Sequence, residues 1–301
     1  MSAEVINGLE LAGKLREEMK QTVRELKEKG IEPSLTVILI GDDPASHSYV
    51  NGKNKASAEV GIKSEIIRHD ASITEEALLA EIAKLNEDPS VNGILVQLPI
   101  PNHIDDQKVI EAIDPKKDVD GFHPINIGRM MTNQEAFLPC TPFGIMKMLE
   151  SKNITVEGKH VVVIGRSNIV GKPMGQLLLN ANATVTYCHS RTTNLKEMTK
   201  QADILIVAVG KEHVVDSSYI KDGAVVIDVG VNRTAEGTLT GDVDFEDVKE
   251  KASFITPVPK GVGAMTITML LQNTIDAAVR MILIDEKEIF NGYYPNKLFK
   301  K

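Results

Sequence analysis

Apolar and polar positions along the first half of the chain alternate between two rhythms. Leu15, Met19, Val23 and Leu26 recur at helical spacing and predict a helix that stops near Gly30. Residues 35–40 are an almost unbroken aliphatic run, the pattern of a short strand buried on both faces. Asp43 before Pro44 reads as an N-cap followed by proline at the first helical position, and Gly61 supplies the stop. Residues 62–69 predict a second strand. Ser72 with Glu75 has the form of a capping box for a helix running through Leu85. A third strand is expected over 91–98 and a short helix over 106–113.

Residues 114–144 break this rhythm. They are rich in Pro, Gly and Asp, and their periodicity is weak. A stretch this long without clear elements marks a functional segment or a domain junction. Beyond it the alternation resumes, with strands expected at 160–164, 183–188, 202–209 and 224–229 and helices between the first three. A long apolar helix is expected from 265 to 284. Strands alternating with helices imply parallel sheets covered on both faces, so the fold class is α/β. At 301 residues, two domains are expected.

Composition removes several function classes. Lys and Arg number 34 against 42 Asp and Glu, a net charge of −8, so no nucleic-acid partner is expected. Trp is absent, and 5 Tyr with 7 Phe make a base-stacking platform improbable. Two cysteines, Cys140 and Cys188, form no disulfide framework and point to a reducing compartment. Aliphatic runs such as 204–209 fall far short of the roughly 20 residues of a membrane span. The N-terminus lacks a basic region followed by an apolar stretch, so a cytoplasmic protein with no membrane partner is expected. The seven histidines are scattered, with no HxxxH pair and no CxxC, so no metal is expected.

The second half carries a nucleotide-binding pattern. The strand at 160–164 leads into Gly165, then RSNIVGKPMG, then a helix. A glycine-containing turn between strand and helix presents a helix N-terminus to a pyrophosphate. The spacing Gly165, Gly171, Gly175 is looser than G-x-G-x-x-G, and a plain strand–helix turn gives the same pattern. The next strand ends in Cys188, His189, Ser190 and Arg191, with no acid to hold a ribose 2′-hydroxyl. Ser190, Arg191 and Arg166 suit a 2′-phosphate, which favours NADP over NAD. Two solvated surface arginines are the alternative. In the first half, Tyr49 and Lys53 stand i, i+4 on one helix face, with Gly52 hinting at a close approach. Gln97 ends an apolar strand, and Asp118 and Asp120 lie in the irregular stretch.

These segments resemble the bifunctional methylenetetrahydrofolate dehydrogenase/methenyltetrahydrofolate cyclohydrolase family. The matching stretches are SYVNGKNKASAEVGI (48–62), GILVQLPIP (93–101), DVDGFHPINIGRM (118–130), PCTPFGIMKML (139–149), GRSNIVGKP (165–173), GAVVIDVGVNR (223–233), GDVDF (241–245) and TPVPKGVGAMT (256–266). They run in family order from end to end of the chain. The resemblance implies two α/β lobes, the second a Rossmann-like NADP-binding parallel sheet, joined by two long helices. One of these helices would start near Thr141, and the other is the C-terminal one. It implies a folate-binding catalytic domain at 1–139, completed by 276–301, and an NADP domain at 140–275. A cytosolic homodimer acting in one-carbon metabolism on a folate substrate follows.

Residue by residue, the resemblance matches Tyr49 to folate stacking, Lys53 to the catalytic lysine, Gln97 to its orienting glutamine and Asp120 to the acid that holds the pterin. Gly165, Arg166, Ser167, Ser190 and Val231 match NADP contacts. Gly261, Gly263 and Thr266 fall in the substrate-side loop. The family motif usually reads TPVPGGVGPMT, so Lys260 and Ala264 are departures. A shikimate-type NADP dehydrogenase is the competing enzyme reading, although it does not explain DGFHPINIGRM. An NADP-sensing module with an inactive first lobe is the non-enzymatic one.

The chemistry asks for these residue types. Hydride departure from the methylene bridge leaves a cation shared by two nitrogens, which requires placement but no strong base. Hydrolysis of that cation requires water to lose a proton and a ring nitrogen to gain one, and a single amine can serve both events.

Overall fold

Leu35, Val37, Ile38, Leu39 and Ile40 are almost wholly buried and build the strand Ser34–Ile40, the centre of a three-stranded parallel sheet. Lys63–His69 pairs on one side, with Ser34 opposite Lys63, and Gly93–Val96 on the other, with Ile38 opposite Val96. Ile38, Ile94 and Val96 pack with Leu78, Ile82 and Val109 from the covering helices. In the computed structural model the described residues run from Ser2 to Asp285. They fall into two compact units, one of residues 15–138 with the chain from Ile267 on, the other of residues 1–14 with 139–266.

The second unit contains a six-stranded sheet. Its order is Thr184–Cys188, His160–Ile164, Ile204–Val207, Val225–Asp228, Phe254–Ile255 and Glu4–Val5, with every neighbouring pair parallel. Val162, Ile164, Leu205, Val207, Val226 and Ile255 form its core. Strand order reverses at His160–Ile164, whose neighbours Thr184–Cys188 and Ile204–Val207 lie on opposite sides. Ligands of open α/β sheets bind outside the carboxyl ends of strands at such a reversal.

Several expectations shift. Residues 1–14, expected in the first lobe, belong to the six-stranded unit, because Glu4–Val5 adds to the sheet edge at Phe254–Ile255. The chain changes unit inside the helix Gly8–Glu28, at Leu138, and inside the helix Val262–Asp285. The helix expected near Thr141, Cys140–Ser151, therefore lies wholly in the six-stranded unit. Beyond Asp285, the expected C-terminal completion of the first lobe lies outside the described residues.

Thr74, not Ser72, caps the helix Glu75–Glu87, accepting from the Ala77 N–H. Ser72 instead closes a turn onto Asp70, and Glu75 accepts from the Asp105 N–H and Lys108. Nor is 114–144 free of elements. Pro124–Met131 is a helix capped by His123, and Cys140–Ser151 begins before the stretch ends. Both cysteines are buried and free. Among the described residues, no helix is long and apolar enough to cross a membrane.

Candidate active site

In the three-stranded unit, Asp43 caps the helix Pro44–Val60 by accepting from the Ser46 N–H, and the helix carries Tyr49 and Lys53 one turn apart. Tyr49 is 43% exposed, whereas Lys53 is only 8% exposed. A buried amine needs a hydrogen-bond partner. The Lys53 Nζ donates to Gln97 Oε1 at 2.9 Å. Gln97 cannot turn freely, because its Nε2 donates to the Leu98 carbonyl at 2.6 Å and its backbone N–H to the Ile38 carbonyl at 2.9 Å. The strand end thus presents one acceptor to the amine. Gly52 meets only Ile267, at a distance an added Cβ would tolerate, so the chain itself explains no close approach there.

Asp118 bridges to Ile94 in parallel fashion, which carries Asp120 alongside the same strand end as Gln97. The Asp118 carboxylate is 2% exposed and accepts from the N–H groups of Gly121, Phe122 and His123 and from Asn126 Nδ2. Burial pushes its pKa up, against the pull of Asn126 and the backbone donors. Asn273 Nδ2 donates to the Val119 carbonyl at 2.8 Å. Residue 120 is therefore held on both sides, by a buried carboxylate and a buried amide. Asp120 itself is part-buried and lines a small cavity with Leu95, Leu98 and Phe122.

The six-stranded unit gives each glycine of the loose motif a separate role. Gly165 has φ +135°, and a Cβ there would overlap the Ala208 carbonyl oxygen across the strand reversal. At Gly171 an added Cβ would overlap the Gly165 carbonyl, and at Gly175 the Tyr187 hydroxyl, which itself donates to the Lys172 carbonyl. The Ser167 hydroxyl accepts from the N–H groups of Val170 and Gly171 at 3.2 Å each, opening the helix Gly171–Asn180. The strand–turn–helix sets a helix N-terminus at the strand reversal, an arrangement that suits a dinucleotide phosphate. Ser190 and Arg191 follow the strand Thr184–Cys188 in a turn closed by Thr192 N–H to the His189 carbonyl. Arg166 and Arg191 are exposed, without an ion-pair partner among the described residues. Val231 is 46% exposed just past the strand Val225–Asp228.

Gly261 is enclosed just before the helix Val262–Asp285, so that a Cβ would overlap the Pro257 carbonyl, whereas Gly263 stands open in that helix's first turn. Of the three residues expected in a loop, Gly263 and Thr266 are helical. Thr266 shares a hydrogen bond with Thr141 at 2.9 Å. Lys260 has φ +77°, where the family pattern carries glycine. A side chain in that region costs about 1 kcal/mol, so this departure is strained.

Two acids escaped the sequence reading. Asp228 ends an apolar strand and accepts from the N–H groups of Gly230, Asp242 and Val243. Burial pushes its carboxyl up to about 6, Asp242 adds in the same direction, and the backbone donors oppose. Asp242 lies in GDVDF and is fully buried. The available signal was an acid where an apolar strand stops, beside a second acid in a matched motif.

The folded chain binds the Asp228 proton at a higher pH than the unfolded chain, whose carboxyl titrates near 3.8. Stability from this group is complete below about pH 4 and is lost as pH rises through about 6. Asp228→Asn has no such proton. Between pH 4.5 and 7.5 the parent should lose about 2 kcal/mol that the variant does not. Urea midpoints of both proteins at the two pH values decide this, and parallel slopes would refute it.

A catalytic-domain model of tetrahydrofolate dehydrogenase/cyclohydrolase matches residues 6–120, and the NAD(P)-binding-domain model of the same enzymes matches residues 139–282. The chain belongs to the tetrahydrofolate dehydrogenase/cyclohydrolase family. It is 64% identical to the bifunctional protein FolD of Bacillus cytotoxicus over 280 residues, covering 93% of this chain and 98% of the relative. The FolD structure from Campylobacter jejuni is 52% identical, with a TM-score of 0.92 over 93% of this chain and 99% of that one. A Trypanosoma brucei FolD, solved with NADP and an inhibitor, is 37% identical, with a TM-score of 0.91 over 94% and 99%. Shikimate 5-dehydrogenase from Thermus thermophilus, at 15% identity and a TM-score of 0.51, shares the fold alone.

Proposed function

We propose that Lys53 is the acid–base group of this bifunctional enzyme, that Gln97 positions it, and that Tyr49 and Asp120 hold the folate. The enzyme oxidises 5,10-methylenetetrahydrofolate to 5,10-methenyltetrahydrofolate with NADP and hydrolyses the product to 10-formyltetrahydrofolate. The observation that carries the residue-level reading is the buried Lys53 amine on the Gln97 carbonyl oxygen at 2.9 Å. In hydrolysis the amine takes a proton from the attacking water and returns one to the ring nitrogen as its bond to the bridge carbon breaks. The Asp120 carboxylate accepts from adjacent pterin N–H groups, and the exposed Tyr49 ring faces the aminobenzoyl group.

NADP, when bound, accepts the hydride. Gly165, Arg166, Ser167, Ser190, Arg191 and Val231 are its proposed contacts, and Gly261, Gly263 and Thr266 line the substrate side. The purified chain should reduce NADP with methylenetetrahydrofolate and consume methenyltetrahydrofolate without cofactor. Reduction driven by shikimate instead would support the shikimate reading. No turnover with either would leave an NADP-binding module.

Arg191→Ala tests the 2′-phosphate contact. The KM for NADP should rise by the equivalent of about 1–3 kcal/mol while that for NAD barely moves. Equal changes would remove the contact. The same reading includes a homodimer in the cytoplasm, and sedimentation velocity of the purified chain checks the assembly state.

A further inference from the structure

We infer that Asp242 is a positioning residue for NADP, holding two backbone segments at the cofactor side of the six-stranded sheet. The inference rests on the reading of the chain as an NADP-dependent enzyme. Asp242 touches neither reacting group in that reading, and GDVDF had no role in it.

Its carboxylate is fully buried and meets four donors. One oxygen accepts from the N–H groups of Val209 at 2.7 Å and Gly210 at 3.0 Å. The other accepts from the Lys211 N–H at 2.9 Å and from Asn232 Nδ2 at 2.9 Å. Three successive N–H groups converging on one anion form a concave nest, which here is filled by the chain's own side chain. The loop it gathers follows the strand Ile204–Val207 and turns at Gly210, with φ +67°. Ala208 in that loop offers the carbonyl against which Gly165 is packed. The nest therefore fixes the wall that faces the phosphate turn.

On its other side, Asn232 is the residue after Val231 and opens the hairpin Asn232–Arg233 with Leu239–Thr240. Asp228 locks the acid in place, accepting from the Asp242 backbone N–H at 3.0 Å. Gly230 and Gly241 admit the two carboxylates, because a Cβ at Gly230 would overlap Asp242 and one at Gly241 would overlap Asp228. One carboxylate thus couples the 208–211 wall to the segment that carries Val231. A neutral amide cannot replace it, since two of its four donors would face an NH₂ group.

Cyclohydrolase turnover consumes no NADP and so reports on the fold independently. In Asp242→Asn, calorimetric titration should show NADP binding weakened at least about tenfold. The KM for NADP should rise more than the dehydrogenase kcat falls, and methenyltetrahydrofolate hydrolysis should stay within about twofold of the parent. Asn232→Ala removes one donor and should weaken NADP binding about three- to tenfold, which keeps the test decisive if Asp242→Asn does not fold. Unchanged NADP affinity in a folded variant, or parallel loss of both activities, would overturn the inference. A parent protein that neither binds nor reduces NADP would instead overturn the underlying reading.

Discussion

Lys53→Met lowers methenyltetrahydrofolate hydrolysis by about 10²–10⁴, the range typical for loss of an acid–base group. Methionine keeps most of the length and suits a site only 8% exposed, so the fold should tolerate it. What disappears is the exchangeable proton that the reaction uses twice. Gln97 Oε1 loses its Nζ donor, but its Nε2 stays tied to Leu98, so the strand end keeps its shape. Hydride transfer requires no proton at the carbon, and dehydrogenase activity should fall less, limited by placement of the folate. Stopped-flow measurement of both activities on one preparation makes the comparison. A near-normal hydrolysis rate would mean that water or another group moves the proton.

Gly165→Ala acts on the other activity. The backbone at φ +135° is nearly closed to a side chain, and the new Cβ would overlap the Ala208 carbonyl oxygen. Either the turn or the 208–211 loop must move, at a cost of roughly 3 kcal/mol, or about a hundredfold in NADP affinity. Hydrolysis of methenyltetrahydrofolate without cofactor should persist. If NADP affinity stays at the parent level, the turn at Gly165 does not hold the phosphates.

Comparison of these two sites explains what could be read from residues alone. Lys53 and Tyr49 were legible because a helix imposes their relation locally, and Gln97 because an apolar run ends at it. Strands of the six-stranded sheet were legible where they are continuous and buried. Two-residue strands carry no period, so Glu4–Val5 and Phe254–Ile255 were invisible, although they add two strands to the sheet. The helix Pro124–Met131 was hidden for another reason. It is organised by Asp118 and Asn126 through contacts eight residues apart rather than by an apolar stripe. Asp242 was missed because its partners lie ten and more than thirty residues away. Polar networks closed over such distances leave no local pattern.

The edge strand Glu4–Val5 pairs with Phe254–Ile255, across roughly 250 residues of chain. Residues 4 and 5 leave the ribosome roughly 250 residues ahead of their partners. Closing so long a loop is entropically costly, and such non-local pairing is slow. Until residue 255 is available, the six-stranded sheet lacks its last two strands, and the side of Val225–Asp228 that Phe254–Ile255 will cover is an unpaired edge. A nascent chain thus carries an open sheet edge from the time residue 228 is made until residue 255 follows, a period when such edges recruit neighbouring chains. Placing residues 4 and 5 closer in sequence to residue 255 would shorten that loop and should speed pairing of the outer strand during refolding.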